Sequence, residues 1–376
     1  MTAPDVALIS PFPPSGWTGV ASYSSRLAAA LRRAGARVTV LADVLDGAPP
    51  VARSGGLEVR RVWRRGPGAL PRAAAGAVRT GAPAVHMQHE LMLYGGAAAA
   101  PGVLPALAAL RAARRRTVVT MHHVLDAGAI DAEFTATHRV HAPVPVARAG
   151  VAGLQRGIRA LADAVVVHEP ELASLLPGAE VIPHGIDAPA DPSRAAARAA
   201  LGLRDDRLVA LCFGFLAPYK GLEVALEGVS KAGDDVQLVL AGGDHPRVGG
   251  EYAARLRDAA PPGTRFTGFV PDEDVARWFK AADVLLALYP RPFATSGPLA
   301  LALAHGTPVL LSPRLAAVTG APAELSVELE PLAVARRLRT LAERPEERAR
   351  LRERVAALAA GRSWPEVARR HLEVYA

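Results

Sequence analysis

Three groups of residues in this 376-residue sequence have types and positions that suit binding of a charged ligand or transfer of a proton. The first is Ser296-Gly297-Pro298, which lies between the short apolar runs 284–288 and 308–311. Both runs have the length of buried strands, Ser296 can cap a helix, and Pro298 fits a first helical turn. Gly297 would let a ligand approach the backbone. Because a helix N-terminus attracts anions, this strand-helix-strand unit predicts a phosphate site.

The second group is His122-His123, at the end of a strand predicted for residues 117–121. A histidine there can act as a general base, contact a sugar hydroxyl or bind a metal. No companion cluster of Cys, His or Asp has the spacing of metal ligands, so no metal site is predicted. For each histidine, a sugar contact and a structural role remain open alternatives.

The third group is the loop 16–19, which contains Gly16 and Gly19 and follows a strand predicted for residues 6–10. Open α/β sheets bind ligands at the carboxyl ends of their strands, where this loop would lie. Its glycines do not have the GxGxxG spacing, so the sequence lacks a dinucleotide fingerprint. A ligand-binding loop and a simple tight turn both remain open.

Strands and helices alternate along the chain, which predicts an α/β protein with two doubly wound, Rossmann-like domains. A Pro/Asp-rich link at residues 190–194 separates the two halves. We therefore expect an N-terminal domain over residues 1–188, a C-terminal domain over 189–362, and a capped amphipathic helix over 363–376.

The composition narrows the class of protein. Lys and Arg number 44 against 36 Asp and Glu, a net charge of +8, but only three residues are lysines. Because such arginine-rich usage is typical of GC-rich genomes, the charge does not predict nucleic-acid binding. The single cysteine, Cys212, lies in an apolar run and is expected to be a buried thiol. With no run near the ~18 apolar residues of a membrane span, we expect a soluble, cytoplasmic protein.

The basic excess lies in the first half of the chain. This half can meet an anionic acceptor or the anionic inner face of a membrane, at which the protein would then be peripheral. A solvated arginine-rich face is the open alternative. The arginines concerned are Arg60, Arg61, Arg64, Arg65, Arg114, Arg115 and Arg116.

Four short motifs, each weak alone, follow one another along the chain: Pro183-His184-Gly185, Phe213-Gly214-Phe215 with Tyr219-Lys220-Gly221, Thr267-Gly268-Phe269-Val270, and His305-Gly306-Thr307-Pro308. In this order and spacing they resemble the family 4 glycosyltransferases, which have the GT-B fold. The resemblance implies two domains facing a cleft and a last helix that crosses back to the N-terminal domain. It also implies that the N-terminal domain binds an acceptor, that the C-terminal domain binds a nucleotide sugar, and that no metal or other cofactor is needed.

The resemblance assigns roles in the C-terminal domain residue by residue. Lys220 matches the family lysine that neutralises the donor diphosphate. The stretch Ser296, Gly297, Pro298 and Leu299 matches the helix start whose N–H groups hold the distal phosphate.

Other roles follow from the same resemblance. Gly19 matches a glycine of the first domain that faces the diphosphate. His122 matches a histidine that touches the transferred sugar, which makes it the catalytic candidate. Phe269 and Val270 match the turn that cradles the base.

The sequence departs from the family at three positions. Phe293 and Leu301 stand where the family has two glutamates, one touching the sugar and the other the ribose, and Phe215 stands where it has an arginine. The diphosphate site is thus retained in outline, whereas the sugar and ribose contacts are altered. Candidates for replacement contacts are His123, Asp244, His245 and Arg291.

The leading hypothesis is a bacterial, retaining, metal-independent glycosyltransferase that acts on a polysaccharide, a glycolipid or a natural product. The missing glutamates keep two alternatives open. One is a non-catalytic relative that binds a nucleotide or a partner protein, and the other is a different GT-B enzyme such as an epimerase.

Overall fold

The computed structural model describes residues 5–15, 18–54, 56–137, 140–187, 192–245, 250–290 and 296–376. The chain forms two compact units. The N-terminal unit comprises Met1–Gly185 and Trp364–Ala376, and the C-terminal unit comprises Ile186–Ser363. The boundaries expected from the sequence were 188/189 and 362/363.

Thirteen strands are present in the described residues. They are β1 Asp5–Ile9, β2 Arg37–Asp43, β3 Val51–Ser54, β4 Leu57–Trp63, β5 Ala84–His89, β6 Arg116–Met121, β7 Ala164–Val167, β8 Glu180–Val181, β9 Leu208–Phe213, β10 Val236–Ala241, β11 Arg265–Gly268, β12 Val284–Ala287 and β13 Val309–Leu311.

Fifteen α-helices accompany them in the same part of the chain. They are α1 Thr18–Arg33, α2 Ala69–Thr80, α3 Val103–Ala112, α4 Ala132–Thr137, α5 Val144–Leu161, α6 Pro170–Leu175, α7 Arg194–Leu201, α8 Leu222–Ala232, α9 Gly250–Asp258, α10 Asp272–Ala281, α11 Gly297–His305, α12 Pro313–Thr319, α13 Pro331–Glu343, α14 Pro345–Ala359 and α15 Trp364–Tyr375. None of these described helices is both long and apolar enough to cross a membrane.

The N-terminal unit is built on an eight-stranded sheet in the order β3-β4-β2-β1-β5-β6-β7-β8. Its pairings are parallel except that β3 pairs antiparallel with β4 at one edge. One face packs against α1 and α15, and the other packs against α2, α3 and α5. Because the strand order reverses direction beside β1, the switch point lies between β1 and β5, where such sheets bind ligands.

The C-terminal unit is built on a five-stranded parallel sheet in the order β11-β10-β9-β12-β13. Helices α8 and α13 pack together over β9 and β10, and α10 packs against α7 and α11. Right-handed crossovers change face where the strand order reverses, which places the switch point between β9 and β12. The prediction of an α/β protein with two doubly wound units is confirmed.

Three elements of the N-terminal unit, helices α2 and α4 and strand β3, are absent from the sequence prediction, and the predicted start of α1 was wrong. Helix α2 is rich in alanine, α4 is only six residues long, and the short edge strand β3 is set by its pairing with β4. Helix α1 begins at Thr18, so Gly19 lies in its first turn and not in the preceding loop. The reason is that Thr18 and Gly19 are not large apolar residues, so they do not extend the apolar periodicity from which the helix start was predicted.

Cys212 is buried in β9, as predicted. Burial raises the pKa of its thiol to about 12, because the thiolate would have to lose its hydration. The thiol is therefore protonated near neutral pH, and the hypothesis of an inert buried cysteine is retained.

Several arginines of the predicted basic surface hold the backbone of the N-terminal unit. Arg61 donates to the Asp43 carbonyl at 2.9 Å and to the Pro13 carbonyl at 2.7 Å. Arg116 donates to the Val374 carbonyl at 2.9 Å, which ties β6 to the end of α15. These guanidinium groups are partly committed within the fold, so an anionic partner would meet a smaller basic surface than the sequence suggested.

Candidate functional site

Lys220 lies in the loop that follows β9, at the switch point of the C-terminal sheet. The loop ends in a 3₁₀ turn, Pro218–Lys220. The side chain is only 7% exposed, and its Nζ donates to the Phe213 carbonyl at 2.6 Å. A Cβ at Gly214, whose φ is +90°, would lie 2.6 Å from this Nζ. The glycine therefore leaves the space into which the ammonium group folds back.

Lys220 has no carboxylate as an ion-pair partner among the described residues. The rings of Tyr219 and Tyr289 lie 6.0 and 5.9 Å from Nζ, the outer limit of a cation–π contact. Burial lowers the lysine pKa to about 8, because the charged form loses hydration without gaining a counter-charge. A buried cation of this kind gains stability when an anion arrives.

A backbone contact holds the Lys220 loop against the end of β12. Gly221 has a φ of +65°, and a Cβ there would lie 2.1 Å from the Leu288 carbonyl oxygen. Any side chain at this position would push the two loops apart. The close approach keeps Lys220 beside the strand that leads towards α11.

The predicted helix start at Ser296 is confirmed. Ser296 is the N-cap of α11, and its hydroxyl accepts a hydrogen bond from the Leu299 N–H at 3.2 Å. Its Oγ also lies 3.3 Å from the hydroxyl of Tyr289, the ring that approaches Lys220. Gly297 is exposed, and a Cβ there would meet no atom within 4 Å. The fold thus brings both the lysine and the helix N-terminus close to one tyrosine.

Aromatic and imidazole rings lie near Lys220. Phe215, which stands in place of the family arginine, is 43% exposed, and its ring lies 5.7 Å from the ring of His245. The ring of Tyr219 lies 6.5 Å from the same histidine. The neighbouring Asp244 carboxylate lies 3.4 Å from Arg257 on the surface. Phe215, a ring whose face suits stacking, therefore lies where the resemblance implied the positive charge of an arginine.

The predicted base-binding turn follows β11. Gly268 has a φ of +69°, Phe269 is 73% exposed, and Val270 is buried. This arrangement presents one ring to solvent at the carboxyl end of the sheet. Leu301, at the position of the second family glutamate, is half-buried in α11 and packs on the core. Phe293 and Arg291 lie outside the described residues.

His122 lies directly after β6 in the N-terminal unit. Its Nε2 is 2.8 Å from Oε1 of Gln88, and its ring lies 5.0 Å from the rings of both Tyr23 and His168. Burial lowers the pKa of His122 well below its ordinary value, and neighbouring histidines lower it further. The imidazole is therefore neutral near pH 7.

Two further candidate residues of the N-terminal unit are His123 and Gly19. His123 is half-buried, with its Nδ1 3.9 Å from the Glu90 carboxylate. Gly19 is exposed in the first turn of α1 and has open space where a Cβ would be. No group of three or more His, Cys, Asp or Glu side chains in the described part of the chain is arranged to hold a metal ion.

Sequence reasoning missed two residues of the cluster around His122. Tyr23 on α1 contacts the rings of His122, His168 and His184 at centroid distances of 4.9 to 5.0 Å. His168 follows β7 as His122 follows the adjacent strand β6. Residues that directly follow neighbouring parallel strands lie together at the same edge of the sheet. The position of each histidine directly after a strand was therefore the sequence signal that could have predicted this pair.

The sequence is similar to those of known glycosyltransferases. The family described as "Glycosyl transferases group 1" matches residues 207–344. The D-inositol 3-phosphate glycosyltransferase of Streptomyces coelicolor is 30% identical over 323 residues, covering 80% of this chain and 65% of the relative. The protein of the same name from Streptomyces scabiei is 35% identical over 209 residues, covering 50% and 45%. This chain thus spans less than two thirds of the length of these relatives.

Solved structures resemble the whole chain. Sucrose-phosphate synthase from Thermosynechococcus elongatus has a TM-score of 0.71 at 22% identity, with 99% of this chain and 98% of that chain covered. The Anabaena protein HepE, in complex with UDP and glucose, has a TM-score of 0.67 at 18% identity, with 98% of each chain covered. At these identities the likeness shows the fold.

Proposed function

Because the chain has the GT-B fold and its sequence is of the family 4 glycosyltransferase type, we propose that it transfers a sugar from a nucleotide-sugar donor to an acceptor hydroxyl. The C-terminal unit binds the donor, and the N-terminal unit binds the acceptor. The last helix, α15, packs on the N-terminal unit, in keeping with the crossing-back that the resemblance implied.

The observation that carries this proposal is the pairing of Lys220 with the N-terminus of α11. Both lie at the switch point of one sheet, and both are close to Tyr289. Lys220 supplies a compact buried cation, and α11 supplies the N–H of Gly297 together with the positive end of the helix dipole, because Pro298 has no N–H and the Leu299 N–H is bonded to Ser296. A diphosphate fits both features, because its two phosphate groups can engage the lysine and the helix separately.

In the proposed reaction, the bond between the anomeric carbon and the phosphate oxygen breaks, and a bond from this carbon to the acceptor oxygen forms. The electron pair of the broken bond stays on the nucleoside diphosphate, where Lys220 and α11 stabilise its charge. The acceptor proton passes to that phosphate, so retention of configuration needs no protein base. His122, neutral and held by Gln88, contacts a hydroxyl of the transferred sugar.

The donor is proposed to be a nucleotide sugar in part because HepE is described in complex with UDP and glucose. The acceptor is a polysaccharide, a glycolipid or a natural product. A glycolipid acceptor would also suit a peripheral position at an anionic membrane, where exposed arginines of the N-terminal unit such as Arg64, Arg65 and Arg114 would face the lipid headgroups.

A second candidate function is nucleotide or partner binding without catalysis, and a GT-B epimerase is a further alternative. The residue at position 293 favours binding without transfer, because phenylalanine cannot replace the glutamate that, by the family resemblance, touches the transferred sugar. Such a protein would bind nucleotides through Lys220 and yet release no diphosphate from a nucleotide sugar.

The test is calorimetry with UDP, GDP, ADP and dTDP, followed by assays of nucleoside diphosphate release from the corresponding nucleotide sugars. We expect one nucleoside diphosphate to bind and its sugar form to turn over with an acceptor extract. Activity is expected to persist in excess EDTA, because Lys220 and α11 supply the positive charge. Loss restored only by Mg²⁺ or Mn²⁺ would contradict the metal-independent mechanism, and binding without release would favour the second candidate.

A further inference from the structure

A buried chain of hydrogen bonds joins the last helix to His122 within the N-terminal unit. Tyr375 Oη lies 2.7 Å from Nδ1 of His86, and Nε2 of His86 lies 2.7 Å from the Thr120 hydroxyl and 3.1 Å from Nε2 of Gln88. The other end of the Gln88 amide, Oε1, lies 2.8 Å from Nε2 of His122. The side chains of His86, Gln88 and Thr120 are fully buried.

From this chain we infer that Gln88 is a positioning residue, which holds His122 in the tautomer with its proton on Nε2 and so leaves Nδ1 as a hydrogen-bond acceptor. The role of this tautomer in sugar transfer rests on the proposed function. The position of the proton on His122 depends only on the hydrogen bonds described above.

The argument follows from the two ends of an amide, of which one only donates and the other only accepts. The NH₂ group of Gln88 faces His86, so Nε2 of His86 accepts from this group and from the Thr120 hydroxyl, and the proton of His86 must lie on Nδ1. That Nδ1–H donates to the oxygen of Tyr375. The carbonyl end faces His122, so Nε2 of His122 must donate. The two histidines are therefore held in opposite tautomers by one side chain.

Two neighbouring rings pack against His122. The centroid of the Tyr23 ring lies 5.0 Å from that of His122, and the two rings meet edge-on at an interplanar angle of 87°. The centroid of the His168 ring also lies 5.0 Å from that of His122. No described residue forms a hydrogen bond with Nδ1 of His122. This lone pair is thus available to a hydroxyl of a sugar.

The tautomer decides whether Nδ1 of His122 accepts or donates a hydrogen bond. With Nε2–H committed to Gln88, the histidine accepts a hydrogen bond from a sugar hydroxyl through Nδ1. Because burial and the neighbouring histidines lower its pKa, it stays neutral and keeps this lone pair near pH 7. In the reverse orientation of the amide, Nδ1 would carry the proton and could only donate.

The first test is ¹⁵N-histidine NMR of the full-length free protein, with the His122 signals assigned from a His122→Ala variant. We expect Nε2 of His122 and Nδ1 of His86 to carry the protons. A proton on Nδ1 of His122 would overturn the inference, whatever the outcome of the activity assays. The measurement therefore separates failure of this inference from failure of the proposed function.

The second test uses variants at position 88. Gln88→Glu retains an oxygen acceptor towards His122, so its Nε2–H tautomer should persist, whereas Gln88→Leu should give a mixture of tautomers. With the donor that turns over fastest, we expect Gln88→Leu to lower kcat at least tenfold while KM for the donor changes less than threefold, and Gln88→Glu to recover part of the loss.

The matched control is Thr117→Val. Thr117 is fully buried at the other end of β6, where its hydroxyl donates to the Arg115 carbonyl, outside the hydrogen-bond chain. This variant should lower Tm and leave both the tautomer and kcat unchanged. A single unchanged tautomer in folded Gln88→Leu would show that Gln88 does not set the proton position, and would overturn the inference.

Discussion

The indole of Trp364 lies directly over the α-carbon of Gly185. A Cβ built at Gly185 would lie 2.5 Å from Cδ2 and Cε3 of the indole, although no positive φ requires a glycine there. The two residues belong to separate parts of the sequence, the Pro183-His184-Gly185 motif and the start of α15, yet both lie in the N-terminal unit. The indole also contacts Tyr23, whose ring lies 5.5 Å away, so this contact supports the cluster around His122.

We predict that Gly185→Ala destabilises the N-terminal unit by about 1–3 kcal/mol, the usual effect of overpacking a buried contact. Urea unfolding monitored by tryptophan fluorescence would measure the change. The control is Gly150→Ala, at an exposed position in α5 where a Cβ meets no atom within 4 Å. Alanine there should be neutral or stabilising by up to about 1 kcal/mol. Equal effects of the two substitutions would contradict the packing argument.

Lys220→Met should weaken the binding of a nucleoside diphosphate by about 1.5–3 kcal/mol, because a charge-assisted hydrogen bond is lost and no family arginine remains to share the phosphate charge. Thermal stability should not fall, since the substitution removes a poorly solvated ammonium group. Calorimetry and Tm measurements check both expectations. The control is Lys231→Met, whose exposed Nζ lies 3.4 Å from Glu227. Unchanged affinity in Lys220→Met would remove this lysine from the site.

The affinity of the wild-type protein for a nucleoside diphosphate should fall above pH 8. The pKa of free Lys220 is lowered to about 8 by burial, and a bound diphosphate raises it again by stabilising the ammonium form. Binding therefore takes up a proton at alkaline pH, and affinity should decline by up to about tenfold per pH unit. A decline of the same slope in Lys220→Met would assign the effect to another group.

Gly297→Val should abolish donor binding without unfolding the protein. The valine side chain would occupy the exposed first turn of α11, where the phosphate is proposed to lie, and its Cβ would have no described atom within 4 Å. Ser296→Ala should instead cost about 1 kcal/mol of stability through loss of the helix cap. Donor affinity and Tm measured on both variants decide between these effects. A folded Gly297→Val protein with normal affinity would refute the phosphate site.

The N-terminal unit should lose stability as the pH falls from 6.5 towards 4. Burial lowers the pKa of His89 and His371 to about 4, so each is neutral in the folded state and protonated in the unfolded state across this window. Each neutral histidine therefore makes its full contribution to the free energy of unfolding above pH 6.5. This contribution falls by up to roughly 3 kcal/mol for each histidine as the pH decreases from 6.5 to 4. Urea unfolding at several pH values should show a shallower acid loss in His371→Gln, with the exposed His141→Gln as control.

Much of the fold could be predicted from local sequence. The sequence predicts strands over residues 164–167 and 236–241 and a helix over residues 272–281, and β7, β10 and α10 have these limits. Short apolar runs and a proline-led acidic helix start leave few alternatives. The helix cap at Ser296 was equally local, since the serine, glycine and proline that form it are adjacent. The burial of Cys212 followed from the apolar run around it.

The tertiary structure alone decided how distant residues combine. Lys220 could be recognised from its motif, but its buried environment depends on Gly214, on the Leu288 backbone and on Tyr289, which reach it only when β9 and β12 pair. The link from Tyr375 to His86 spans 289 positions, and no periodicity of sequence reports it. Sequence patterns determine which face of an element is buried, whereas side-chain partners depend on how parallel strands from distant segments are ordered in the sheet.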